Sequence, residues 1–147
     1  MDALDLLISD HNRVKELFEQ IVGERGMQQK RLLFENIRND IDTHSYVEET
    51  VIYPTFRKFP ELTAFIDQSL AEHVAMRNSL EELDRLNVDH PSFDAKMSEL
   101  VNDVLCHIQK EEGELFPEIR RIMKRLEREQ LGRHLSAAKQ ERQEKAA

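Results

Sequence analysis

Three clusters of helix-breaking residues constrain this chain more than any other feature. Gly23 and Gly26 lie together, Pro60 follows Arg57-Lys58-Phe59, and Asn87-Val88-Asp89-His90-Pro91 makes the third break. They divide residues 2–125 into four segments, about 2–22, 28–57, 61–86 and 92–125, with Asp2 and Ser92 placed as N-caps. With 4 Gly and 4 Pro in 147 residues, the chain is short of turn formers for an all-β fold, which needs a turn about every ten residues. Long helices are the economical alternative.

Each segment carries an apolar seam at spacings of three and four, the period of one helix face. The seams are Leu4, Leu7, Val14, Phe18 and Ile21; Leu33, Ile37, Ile41 and Ile52; Ile66, Leu70, Met76, Leu80 and Leu83; and Met97, Leu100, Val104, Leu115 and Ile122. Helices this long, joined by short loops, pack antiparallel with their neighbours. The expected fold is all-α: an up-down antiparallel four-helix bundle over residues 1–125, then a charged segment, 126–147, forming a short C-terminal helix or tail.

Charge and composition exclude whole classes of function. Lys+Arg 21 against Asp+Glu 29 leaves a net charge of −8, the wrong sign for nucleic acid, whose phosphates need a basic face. No apolar run approaches the ~20 residues of a membrane span. The acidic start, MDALDLLISD, shows neither the basic n-region nor the cleavage site of a secretory signal. One cysteine, Cys106, excludes an intrachain disulfide and suits a reducing compartment. The expected location is cytoplasmic, with neither membrane nor nucleic acid as partner.

Every apolar seam is interrupted by a residue type that binds metals. His11 sits between Leu7 and Val14, His44 follows Ile41, Glu48 precedes Ile52, His73 lies between Leu70 and Met76, His107 follows Val104, and Glu111 precedes Leu115. A lone histidine on an apolar face is most often a satisfied core residue. Four of them on four seams, each near mid-segment, are different, because mid-helix positions in an up-down bundle share one height. Four imidazoles and two carboxylates then meet in one cross-section, where unpaired buried carboxylates cost several kcal/mol each and a metal pair removes the penalty. His90 and His134 read as solvent-exposed.

An internal repeat supports this reading. Asp40-Ile41-x-x-His44-x-x-x-Glu48-Glu49-x-x-Ile52-Tyr53-Pro54 matches Asp103-Val104-x-x-His107-x-x-x-Glu111-Glu112-x-x-Leu115-Phe116-Pro117, and the first and third helices supply Asp10-His11 and Glu72-His73. The pattern implies two similar helix pairs about a pseudo-two-fold axis. A spacing of four puts His44 with Glu48, and His107 with Glu111, on one helix face. This donor set suits iron, manganese or zinc and is too rich in nitrogen for magnesium or calcium. Two octahedral ions offer about twelve positions. Four imidazoles, two bridging carboxylates and a bridging oxo or hydroxo group fill about ten, leaving one or two for O₂, peroxide or NO.

These residues resemble the hemerythrin-like (HHE cation-binding) family of non-haem di-iron four-helix bundles over about residues 5–125. The resemblance rests on His11, His44-x-x-x-Glu48, His73 and His107-x-x-x-Glu111, with the Glu-Glu-x-x-Ile-Tyr-Pro and Glu-Glu-x-x-Leu-Phe-Pro continuations. It implies two non-haem, oxo/hydroxo-bridged iron ions, Glu48 and Glu111 bridging, and two histidines on each iron. Oxygen-carrying members have a second histidine one turn after the third-helix ligand, where this chain has Arg77, and an aspartate five residues after the fourth-helix histidine, where it has Glu111 at four.

The expected function is binding of, or reaction with, a small oxidant (O₂, peroxide or NO) at a carboxylate-bridged iron pair. Alternatives are a redox enzyme consuming peroxide or NO, and a module that senses or stores iron or oxygen. Asp40 and Asp103, four residues before His44 and His107, either accept an imidazole N–H or are exposed helix acids. Glu49 and Glu112 are read as solvated or inter-helix acids, Tyr53 as a packing residue, and Cys106 as a small buried side chain. Arg77 is either solvated or partly closes the open site.

Overall fold

A computed structural model of the protein describes residues 1–146, and no strand occurs among them. Helix α1 (Ala3–Gly23) starts at a reciprocal cap in which Asp2 and Asp5 each accept the other's backbone N–H, satisfying two donors that a helix start leaves free. Helix α2 (Met27–Val47) follows Gly26. It runs through a single wide π-turn (Glu48–Ile52) into the short α3 (Tyr53–Phe56). A 3₁₀ turn at Pro60–Leu62 leads to α4 (Thr63–Arg85). Helix α5 (Phe93–Lys110) passes through a second π-turn (Glu111–Leu115) into α6 (Phe116–Ile122), and α7 (Arg125–Ala146) completes the chain. Ser92 occupies the N-cap position of α5 without a side-chain cap bond.

The two π-turns have one cause. Pro54 and Pro117 lack the backbone N–H, and their rings clash with the carbonyl four residues earlier. The chain relieves both by widening one turn. The N–H of Tyr53 then bonds the carbonyl of Glu48, and that of Phe116 the carbonyl of Glu111, each five residues back.

Helix α1 packs on α2, α2 on α4, α4 on α5, and α5 back on α1. Their buried faces form two apolar clusters. One gathers Phe18, Phe34, Leu80 and Phe93, and the other Leu4, Tyr53, Phe56 and Phe116. The helices cross from one cluster to the other near His11, His44, His73 and Glu111, so the polar layer separates two oily halves.

Residues 125–146 depart from the sequence reading. The short helix or tail expected there is a 22-residue helix, as long as α1. It packs against α1, α2 and the first π-turn, and buries Leu131 and Leu135. A Cβ on Gly132 would lie 3.0–3.1 Å from backbone atoms of Met1, Asp2 and Ala3. The glycine lets α7 meet the chain's beginning, where Arg128 also bonds Asp2 at 3.0 Å.

Candidate metal centre

The six sequence-nominated residues come together from four helices: His11 on α1, His44 on α2, His73 on α4, His107 on α5, and Glu48 and Glu111 at the first position of each π-turn. All are buried except His44, which is 14% exposed. Their ligand atoms form two trios, His11 with His44 and Glu111, and Glu48 with His73 and His107, each drawn within 4.8 Å. Glu48 Oε1 stands 3.2 Å from the Nε2 of both His44 and His73. Glu111 Oε1 stands 3.3 Å from His11 Nε2 and 3.5 Å from His107 Nε2. Each carboxylate therefore faces one histidine from each trio.

The atoms at this layer fit bound metal cations. His11, His44 and His107 Nε2, both oxygens of Glu48, and Glu111 Oε1 are buried without a hydrogen-bond partner. A buried polar atom left unpaired costs about 1–3 kcal/mol, more when charged. Six of them converging on one layer are a donor set for cations.

The opposite ring nitrogens are all held, and by carboxylates of the neighbouring helix. His44 Nδ1 meets Asp10 at 2.9 Å, His73 Nδ1 meets Glu49 at 2.9 Å, His107 Nδ1 meets Glu72 at 2.7 Å, and His11 Nδ1 meets Glu112 at 2.6 Å. A carboxylate can only accept, so each ring carries its proton on Nδ1 and turns Nε2 inward. The acids run in one sense around the bundle: α1 serves α2, the first π-turn serves α4, α4 serves α5, and the second π-turn serves α1. Three have a cation on them as well, Lys139 on Asp10, Arg77 on Glu49 and Lys110 on Glu72.

Electrostatics within the layer are strong. Burial would raise the Glu48 carboxyl, but the charge of His44 and the imidazoles of His44 and His73, each 3.2 Å away, hold it well below its ordinary value. Burial would lower His44, yet the charge of Glu48 and the bond to Asp10 push it well above the usual imidazole range. His73, desolvated but 3.2 Å from the Glu48 carboxylate and hydrogen-bonded to Glu49, is pushed up to about 9.

Tyr53 breaks the pseudo-two-fold symmetry. The i→i+5 bond of the π-turn puts it one turn past Glu48, and its hydroxyl donates to Glu111 Oε2 at 2.6 Å while its ring stacks on His73. Burial and the charges of Glu111 and Glu48 raise its pKa well above the phenol range, so it stays a neutral donor. Phe116 takes the matching place and stacks on His11, with no hydroxyl to offer. Glu48 Oε2 is accordingly one of the unpaired atoms and Glu111 Oε2 is not.

Several secondary readings are corrected. Tyr53 is more than packing, because the π-turn brings round a residue that an ideal helix would place nearly opposite His44. Asp40 is held by both oxygens on Arg13 at 2.8 and 2.9 Å, and Asp103 is exposed; neither accepts from an imidazole. The acids that do are Glu49 and Glu112, read as solvated or inter-helix residues, with Asp10 and Glu72. Their signal was the acid flanking each seam residue, but its partner lay on another helix. Cys106 is exposed, not buried. Arg77 bonds Glu49 at 3.0 Å and is 44% exposed, while Met76 lines the inner space. His90 and His134 are exposed.

That inner space is a cavity of about 30 Å³, bounded by the four histidines with apolar side chains such as Met76 and Val104. Among the described residues no helix is long and apolar enough to cross a membrane.

Comparisons with known proteins bear on the family and the fold. A DNA nickase of Nostoc sp. (strain PCC 7120 / SAG 25.82 / UTEX 2576) is 28% identical over 145 residues, which are 99% of this chain but 41% of that protein. The chain thus spans about two fifths of that relative's length. The crystal structure of a hemerythrin HHE cation-binding domain-containing protein from Mycobacterium kansasii superposes with a TM-score of 0.84 at 22% identity, over 96% of this chain and 86% of that one, a likeness of fold. Residues 2–119 match the hemerythrin HHE cation-binding domain, and the chain belongs to that family.

Proposed function

We propose that this is a non-haem di-iron protein that binds or reacts with a small oxidant, O₂, peroxide or NO, at a carboxylate-bridged iron pair. The observation that carries the reading is that Glu48 and Glu111 each face one histidine of each trio. Each trio offers two imidazole nitrogens and a carboxylate, a mixed donor set that suits iron with positions left open. Iron would supply the redox chemistry. The chain's own residues orient the imidazoles through Asp10, Glu49, Glu72 and Glu112, hold Glu111 through Tyr53, and keep a small, mostly apolar cavity beside the layer. That cavity suits a ligand of two or three heavy atoms.

Reaction with the oxidant is favoured over reversible carriage by one observation. Arg77, which stands where oxygen carriers place a further histidine, is drawn outward onto Glu49, so no seventh ligand closes the centre. The ring of contacts among α1, α2, α4 and α5 supports an up-down bundle over residues 1–125, with α7 (Arg125–Ala146) as an added helix. The net charge of −8 supports a partner other than nucleic acid, and the single cysteine a cytoplasmic setting.

The test is anaerobic reconstitution with iron(II), metal analysis, and optical spectra before and after O₂, peroxide and NO. About two irons per chain and a spectral change with at least one oxidant are expected. A stoichiometry near one, or zinc as the only metal retained, would overturn the reading.

A further inference from the structure

A second cavity, of about 60 Å³, adjoins the histidine cavity, and Asp10 and Asp40 line both. The outer cavity is polar. It lies where α1, α2 and α7 meet, with Arg13, Asn39, Thr43 and Lys139 in its walls. Two ion pairs border it, and they differ in firmness. Lys139 and Asp10 are 24% and 14% exposed and stand 2.5 Å apart, and the second oxygen of Asp10 is bound to His44. Asp10 is therefore held from two sides. Arg13 engages both oxygens of Asp40 but is 63% exposed, so water screens the pair and can replace it as the guanidinium swings outward. Its guanidinium can leave Asp40 at little cost. A further groove, bordered by Lys15, Leu105 and Glu112, meets the inner cavity only at Ile108, whose buried side chain closes that wall.

We propose that the polar cavity between α1, α2 and α7 is the way in for small polar solutes to the histidine cavity, and that Arg13 is its gate. The reading deepens the proposed function, on which its biological meaning rests, and it gives α7 a role: Lys139 on that helix forms the outer wall of the passage. Tyr53, Glu49, Glu72 and Glu112 line neither cavity, and Asp10, which orients His44, is the fixed wall of the passage beside the gate.

The five methionines of the chain provide the test. Met76 lines the inner cavity and is 4% exposed. Met97 and Met123 are as deeply buried, at 3% and 5%, but lie in the two apolar clusters away from the cavity. Met1 and Met27 are 78% and 53% exposed. Dilute hydrogen peroxide transfers one oxygen to a thioether sulfur as its O–O bond breaks, and the other oxygen leaves as water. Peptide mass spectrometry reads each sulfoxide separately. The protein is loaded with zinc, which does not change oxidation state. Met76 should oxidise more slowly than Met1 and Met27 but faster than Met97 and Met123. Arg13→Ala should raise the Met76 rate about five-fold, the size of a weak surface pair. Asn39→Trp, at an exposed position in the outer cavity, should lower it by a similar factor, with the other four methionines unchanged. Met76 oxidising at the rate of Met97, or indifferent to both substitutions, would overturn the passage. Because zinc takes no part in the oxidation, an iron-loaded protein blind to O₂, peroxide and NO would sink the functional reading while leaving these rates intact.

Discussion

Asp10 accepts the Nδ1 proton of His44, across the helix interface at 2.9 Å, and not that of His11 beside it in the chain. Adjacent helix residues point about 100° apart, so an acid next to an inward histidine lies on the flank of its helix, where the outer edge of the neighbour's imidazole arrives. Four such contacts close a ring around the layer, and each fixes the tautomer and tilt of an inward-facing imidazole.

Asp10→Asn should therefore weaken metal binding about 10–100-fold, the usual effect of losing an acid behind a ligating histidine, whereas Asp40→Asn and Asp103→Asn should change it little. Competition titrations against a chelator of known affinity measure all three. Equal losses for Asp10 and Asp40 would contradict the assignment of Asp10 to His44.

Tyr53 and Phe116 make a reciprocal pair of tests. Tyr53→Phe leaves Glu111 Oε2 as unpaired as Glu48 Oε2 already is, and should cost the metal-free protein about 1–3 kcal/mol. Phe116→Tyr brings a hydroxyl to the matching place and should raise stability in the metal-free state. Denaturant unfolding on chelator-treated protein gives both signs, and destabilisation by both changes would show that the hydroxyl's place is not equivalent in the two halves.

The metal-free protein should show a characteristic pH profile. His73 has its pKa raised from 6.5 to about 9, so its contribution is complete below 6.5 and is lost as pH rises through 9. Glu48 is held well below 4.5, so its contribution is complete above 4.5 and is lost as pH falls through its folded value. Stability without metal should peak between these ordinary values and decline towards pH 9. Metal uptake at pH 7 should release about two protons, from His44 and His73, because ligands bind deprotonated. Calorimetry in buffers of different ionisation enthalpy counts them, and no proton release would show the histidines neutral before binding.

Docking of α7 can be probed at its glycine. Alanine is the better helix former by about 1 kcal/mol, but a Cβ at position 132 would sit 3.0 Å from the backbone nitrogen of Ala3, and rigid backbone cannot yield as a flexible side chain does. Gly132→Ala should destabilise by about 1–3 kcal/mol and raise hydrogen exchange in α7. Gly113→Ala, with nothing within 4 Å, should be neutral or slightly stabilising. A Gly132→Ala protein as stable as its parent would mean that the close approach is not maintained.

The sequence alone determined the helices and which histidines and glutamates face the bundle axis. Breakers at Gly23, Pro60 and Pro91 and period-3.6 seams are local signals, and the type and spacing of His44-x-x-x-Glu48 and His107-x-x-x-Glu111 place both residues of each pair on one face whatever surrounds them. The tertiary structure decided everything that depends on which helix stands beside which. Asp10 serves His44, and Glu72 serves His107, because neighbouring helices meet there, a fact no interval along the chain encodes. Tyr53 reaches Glu111 because a proline-widened turn rotates it by nearly one residue, which an ideal helical wheel misplaces. Helix α7 lies along α1 and α2 because Gly132 allows backbone to touch backbone, and its weak apolar pattern alone looked like a tail. Local spacing sets what each helix presents; packing sets what each presented group meets.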